Sequence, residues 1–337
     1  MDPVTHGLVG ATVSQSFTDK AKLRSAALTG FASALLADAD IFISSASDPL
    51  LNIEMHRHFM HSFLFAPVGA LIASGILWWL VKKKLSYKET YLFSFLGYVS
   101  AILMDYVTSY GVHLFWPFGD ERYSLDIISV FDPVFTLGIL ILTALALFKY
   151  EKRYIRFSLI WIVAYLSLGL IQQNRALKAI ESITDRNAQP MEQIVAKPTI
   201  ANQLLWSVRY ISRDTVYSYG VRLMPFTAPK MYPGESTALL NWQDEFKDHK
   251  NTTLYTDIQR FSDLSEGWLI KHPEHDQVIG DARYSMLPTT LSPLWGITAD
   301  TANPDQHVEF DTYRNADEQV RQGFLDMLLG RDLKDGL

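Results

Sequence analysis

Imidazoles and carboxylates stand out at nine places in the first 140 residues: His6, Asp38, Asp40, His56, His58, His61, Asp105, Asp126 and Asp132. Neutral imidazoles and carboxylates together suit zinc, manganese or iron. The chain has no cysteine, so thiolate sites and disulfides are excluded and any metal must be held by His, Asp or Glu. A bound divalent ion lowers the pKa of its water to near neutrality. A pair bridged by a carboxylate lies about 3.5–4 Å apart and clamps both oxygens of a displacement. No Ser-His-Asp arrangement is evident, which favours water as the nucleophile.

Each residue also has a plainer use. Asp38 and Asp40 are two apart, so on a regular helix they point in nearly opposite directions. Both can serve one site only if the helix ends or unwinds there; otherwise one simply caps the helix in water. His56 and His61 are five apart, a spacing that a loop or helix entry accommodates. His58 and His113 read as surface or supporting residues. Asp132 precedes Pro133, the pattern of a helix cap and turn, and Asp126 can cap as well. Asp105, Thr108 and Ser109 share a helix face, either as a ligand with polar support or as an interhelical hydrogen-bond seam.

The elements that carry these residues are apolar. Stretches 62–81, 90–110, 126–148 and 155–173 each offer the roughly 20 mostly apolar residues that a spanning helix needs. A fifth, 26–44, is apolar apart from Asp38 and Asp40, and a sixth, 3–17, is short. The links 19–24, 82–88 and 149–156 are rich in Lys and Arg, whereas 45–61 and 111–125 hold only Arg57 and Arg122. By the positive-inside rule the first set is cytoplasmic and the second faces outward, with both termini. The nine residues then fall at the outer ends of their segments, a convergence that owes nothing to the Lys and Arg used to find it. Carboxylates in membrane segments are costly and mark functional sites. Gly7, Gly10 and Ser14 read as close-packing positions, and Trp78, Trp79 and Trp116 as interface anchors. The first positive charge is Lys20, so no basic leader region precedes the first apolar stretch.

The ordered set of motifs resembles a known family. Residues 2–10 read DPVTHGLVG, followed by Asp38-Ala39-Asp40, by 56–62 HRHFMHS, by 105–111 DYVTSYG, by 114–118 LFWPF and by Phe131-Asp132-Pro133. This order is similar to that of the YdjM-like family of membrane-bound proteins inferred to be metal-dependent hydrolases. Further on, 266–268 EGW and 280–284 GDARY resemble the soluble extension of one branch. The resemblance implies a metal site of His6, Asp38, Asp40, His56, His61 and Asp105, with one or two divalent ions, zinc first and manganese as an alternative. It also implies a bacterial inner-membrane location. Asp40, His61 and Arg57 become the catalytic candidates, Arg57 either neutralising developing charge or anchoring to lipid phosphate. Many members carry His one turn before the third-motif Asp; here that residue is Ala101, and Met60 replaces a common Thr.

The fold expected is an α-helical transmembrane bundle of five to six helices, the first short, over 1–175. A soluble antiparallel β-rich α+β domain then fills 176–337, outside the cytoplasm. Within it 204–210, 215–223, 254–261, 267–272 and 277–284 read as strands, 316–329 as a closing helix, and 177–193 as an extension of the last membrane helix. The net charge of −6 leaves no basic stripe for nucleic acid. The partner expected is membrane lipid, with a lipid or lipid-linked ester or phosphoester as substrate. The competing reading is a non-catalytic protein with a structural or sensing metal site and a partner-binding outer domain. A transporter fits less well, because the acids gather at one face.

Overall fold

In the computed structural model, residues 1–186 and 188–333 are described, and they form two compact units. The first comprises Met1–Ile43, Met55–Ile171 and Ile200–Asn202. It is helical: α1 (Pro3–Ser16), α2 (Leu23–Ala37), α4 (Ala66–Val81), α5 (Tyr87–Tyr106), α6 (Pro133–Lys149) and α7 (Lys152–Arg186) as far as Ile171; the short α3 (Pro49–Met55), between α2 and α4 in sequence, falls in the second unit but for Met55. Asp2 caps α1, its side chain accepting from Thr5 N, with Pro3 preset for the first turn. A reciprocal Ser86–Glu89 box opens α5. Asp132 caps α6 by accepting from Val134 N and Phe135 N, and takes a hydrogen bond from Tyr165 Oη.

Helices α1, α2 and α5 meet at three glycines. A Cβ on Gly10 would lie 2.5 Å from Gly30 O, and one on Gly97 would lie 2.3 Å from the same oxygen. Backbones therefore touch, in the small-residue manner of membrane helix pairs. Outward faces carry exposed apolar side chains such as Leu71, Ile76, Leu137, Ile141, Ile160 and Val163.

Every stretch expected to span contains a helix, but most helices are shorter than the apolar run. The run 126–148 begins as a loop because the Asp132 cap and Pro133 start α6 there, leaving 17 helical residues. Among the described residues two helices are long and apolar enough to cross a bilayer, Lys20–Phe42 and Lys152–Asp185; a third is counted if the bent pair Pro49–His61 and Ala66–Val81 is one span.

The second unit comprises Ser44–Glu54, Gln172–Thr199 and residues from Gln203 onward. Its first sheet is an antiparallel meander of β1 (Gln193–Pro198), β2 (Leu205–Ser212), β3 (Thr215–Arg222) and β4 (Lys230–Ala238). After α8 (Trp242–Glu245) and α9 (Thr253–Leu264) comes a second meander of β5 (Leu269–His272), β6 (His275–Asp281), β7 (Trp295–Thr298) and β8 (Glu309–Thr312), then α10 (Glu318–Leu329). Ile211 and Val216 of one sheet pack with Trp268, Ile270 and Ala282 beside the other. The buried Arg209 guanidinium donates to the carbonyls of Ala282 and Thr290.

The expected strand at 254–261 is helix α9. Leu254, Ile258 and Phe261 recur at helical spacing and are buried, and Thr252 caps the start by accepting from Tyr255 N. The other four expected strands overlap β2, β3, β5 and β6, and the expected closing helix is α10. Helix α7 continues past the membrane stretch to Arg186.

The segment Ser44–Glu54 leaves the helical unit to join this one. Leu50 is fully buried beside Phe261, Leu269 and Ile297. Arg260 then locks the segment. Its guanidinium meets Asp48 Oδ2 at 2.9 Å, Glu54 Oε1 at 2.7 Å and the buried Asp257 at 2.7 Å. Arg260→Met strands these three carboxylates, so the variant is expected to lose about 2–4 kcal/mol, read as a lower midpoint for unfolding of the second unit. An unchanged midpoint would show that water replaces the guanidinium at no cost.

Candidate metal centre

The end of α2 brings Asp38 and Asp40 together. The α-helix stops at Ala37 and tightens to a 3₁₀ turn over Asp38–Phe42, which meets the condition that two carboxylates so close in sequence impose. Arg57 holds a left-handed backbone (φ +61°), and a second 3₁₀ turn, Phe59–His61, presents His61. His6 lies in the first turns of α1, and Asp105 in the last turn of α5.

His6, Asp40, His61 and Asp105 are wholly buried. His6 Nδ1 is 2.9 Å from Asp38 Oδ2, and its Nε2 is 3.2 Å from Asp105 Oδ1. His61 repeats the arrangement, with Nδ1 3.0 Å from Asp40 Oδ2 and Nε2 3.0 Å from Asp105 Oδ2. Asp38 Oδ1 is 3.5 Å from the same Nε2. Each imidazole thus has a carboxylate against both nitrogens, although a neutral ring carries one proton. His6 Nε2, both nitrogens of His61 and Asp105 Oδ2 have no aligned hydrogen bond, despite these short separations. Orphaned, buried lone-pair atoms pointing at one another are what a cation-binding donor set offers. Oxygen and imidazole nitrogen donors fit zinc or manganese.

Two nitrogen groups of the chain itself share Asp105. The Met1 amino group donates to Asp105 Oδ1, and Arg57 Nη2 lies 2.8 Å from the same oxygen. Arg57 Nη1 donates to Thr108 Oγ1 (3.2 Å), which donates to Asp105 O (2.8 Å). Thr108 therefore supports the site, and the Arg57 side chain, 5% exposed, faces inward to Asp105. His56 is more open, at 37%, and touches the group through Asp40, Nδ1 to Oδ1 at 3.0 Å, and edge-on to the His61 ring. Arg57 N donates to Asp40 Oδ2 at 2.8 Å. Asp132 stands apart as the α6 cap, and Asp126 lies in the preceding loop at φ +54°. The Ala101 position, one turn before Asp105, is closed by an apolar cluster with Ala34, Ala37, Ala66 and Ile102.

A second group is formed by His58, His113 and Asp120. His58 Nε2 is 3.3 Å and His113 Nδ1 3.5 Å from Asp120 Oδ1. Burial, then Arg122 and His58, push the His113 imidazole down to about 4, so this ring is neutral at pH 7. Arg122 Nε donates to His113 Nε2 at 3.1 Å. The neutral ring then carries its proton on Nδ1, the atom 3.5 Å from Asp120 Oδ1. Arg122 Nη2 also donates to His56 O, tying this loop to the backbone beside Asp40.

Sequence reasoning missed the Met1 amino group, for which no residue-type signal exists, and Arg122, whose signal was its isolation as one of two basic residues in the loops 45–61 and 111–125.

These features define a helical membrane protein with a buried His/Asp cluster at helix ends. The chain belongs to the YdjM inner membrane protein family, whose model matches residues 1–176. No curated protein and no solved structure matches it.

Proposed function

We propose that the chain is a membrane-embedded, metal-dependent hydrolase of an ester or phosphoester, lipid-linked, at the outer face of the bacterial inner membrane. The observation that carries the reading is the convergence of orphaned, buried His6 Nε2, His61 Nε2 and Asp105 Oδ2. In this reading those atoms would hold the ion, with Asp38 hydrogen-bonded to His6 Nδ1 and Asp40 Oδ2 standing 3.0 Å from His61 Nδ1. Such carboxylate–histidine–metal relays fix the tautomer and raise ligand basicity. His56 lies on the open side of Asp40, where a carboxylate and an imidazole can relay a proton. Arg57 acts by holding Asp105, and neutralises charge through it. The ion, zinc or manganese, supplies a water acidic enough to act as hydroxide near pH 7.

The helical unit is proposed to cross the bilayer in a bundle of five to six helices, with the second unit outside the cytoplasm, as the Lys and Arg of the links require. A site at the ends of α2 and α5 then sits at head-group depth, which suits a lipid or lipid-linked substrate.

A second reading is a structural or sensing site without turnover. It is favoured by the Met1 amino group and Arg57 on Asp105 Oδ1 and by the closed apolar packing at Ala101. Metal content of purified protein, beside His61→Ala, tests the site. Substrate panels of phosphomonoesters, phosphodiesters and carboxylic esters, with and without chelator, test the chemistry. The hydrolase reading requires metal in the parent, at least about ten-fold weaker retention in His61→Ala, and chelator-sensitive turnover. Equal metal content in both proteins would sink the site, and metal without turnover of any ester class would leave the second reading.

A further inference from the structure

Residues 223–229, between β3 and β4, carry no charge, and Phe226 at their tip is completely exposed (105%) with a left-handed backbone at φ +59°. A single exposed aromatic is ordinary by itself. The root of this turn gives it a context. Arg175 Nη2 donates to Met224 O at 3.0 Å and to Thr227 O at 2.9 Å. Gln172 Nε2 donates to Leu223 O at 3.1 Å and to Gln203 O at 3.0 Å, and Gln172 Oε1 accepts from Arg175 Nη1 at 2.7 Å. Both side chains belong to α7, directly after its last exposed apolar residues, Leu168, Leu170 and Ile171. Arg175 is four residues beyond Ile171, roughly 6 Å along the helix axis. The turn is thus fastened within about one helical turn of the end of the exposed apolar stretch of α7.

We propose that residues 223–229 are a membrane-surface anchor and that Phe226 partitions into the interface of the leaflet where α7 emerges. Aromatic side chains concentrate at this depth because the ring leaves water without entering the hydrocarbon centre. The pinned carbonyls of Met224 and Thr227 are already satisfied by Arg175, so the turn brings few unpaired backbone groups to the lipid. The inference rests on α7 as a span, and neither on a metal nor on the side of the membrane that the second unit occupies.

The chain has no cysteine, so Phe226→Cys in the full chain supplies a single thiol for a nitroxide. After reconstitution into phosphatidylcholine–phosphatidylglycerol vesicles, collision with oxygen and with a water-soluble nickel chelate reports depth. Leu137→Cys, on the exposed face of α6, is the lipid reference, and Glu274→Cys, in the β5–β6 turn, the water reference. The anchor predicts that the Phe226 label shows reduced nickel access and raised oxygen access, at a depth within roughly 5–10 Å of the phosphates. A profile matching Glu274→Cys overturns it. So does a label shielded from both relaxants, which would mean a protein partner.

Discussion

Asp105→Ala is expected to abolish the metal binding proposed for the cluster and to lower folding stability by about 3–5 kcal/mol, because breaking a buried pair strands the other charge. Asp105 faces four groups: the Met1 amino group, Arg57, His6 and His61. Removing its carboxylate leaves an almost fully buried guanidinium without the carboxylate it faces and the buried Met1 amino group without its acceptor, while His6 and His61 lose the Asp105 oxygens facing their Nε2 atoms. Asp105→Asn keeps the shape and one acceptor oxygen, so it should unfold between the parent and the alanine variant. Metal per chain and thermal unfolding in detergent read the two effects separately. A variant that loses metal with its midpoint unchanged would mean that Arg57 finds another partner. One that keeps its metal would remove Asp105 from the ligand set.

Gly30→Leu is the second large effect. A Cβ at Gly30 would stand 2.3 Å from Gly10 O and 2.2 Å from Ser14 Oγ, and the Gly97 backbone packs against the same turn. The carbonyl cannot rotate aside, so α1 and α5 must move away from α2. Overpacking of this kind costs at least about 3 kcal/mol when backbone is the obstacle. The three helices carry His6, Asp105 and the turn with Asp38, so metal retention should fall with stability. Gly75→Leu on α4 is the matched control, since a Cβ there meets nothing within 4 Å; its unfolding midpoint should not fall below the parent's, because Leu favours the helix over Gly. Equal midpoints for both variants would refute tight packing of α1, α2 and α5.

Much of the cluster was readable from spacing because ends of apolar segments are fixed points. Once Lys20–Arg24 and Lys82–Lys84 assign one side, His6, Asp38, Asp40, His61 and Asp105 must share the other. The Asp38/Asp40 pair even required the helix break that occurs. What spacing could not show was which nitrogen faces which oxygen, since that depends on the left-handed turn at Arg57 and on contacts between segments a hundred residues apart. The same limit explains the soluble half. Strand β4 contains Pro233 and Gly234, which argue against a strand, yet its place at the end of its meander tolerates both. Strands β7 and β8 have four residues each, too few for alternation to register. Leu254–Phe261 carried a helical period that an apolar-rich reading took for alternation. The Asp257–Arg260 pair was visible at i, i+3, but its partners Asp48 and Glu54 lie over 200 residues away.

The excursion of Ser44–Glu54 makes the boundary near residue 175 a poor place to cut. A shortened protein ending there would keep every candidate ligand, yet it would release Leu50 from its pocket and leave Asp48 and Glu54 without Arg260. The loosened stretch begins four residues after Asp40 and ends two before His56. An early stretch of the chain therefore finds its packing only among residues that come after the cut, and an isolated membrane portion would carry a frayed loop between two of its candidate ligands.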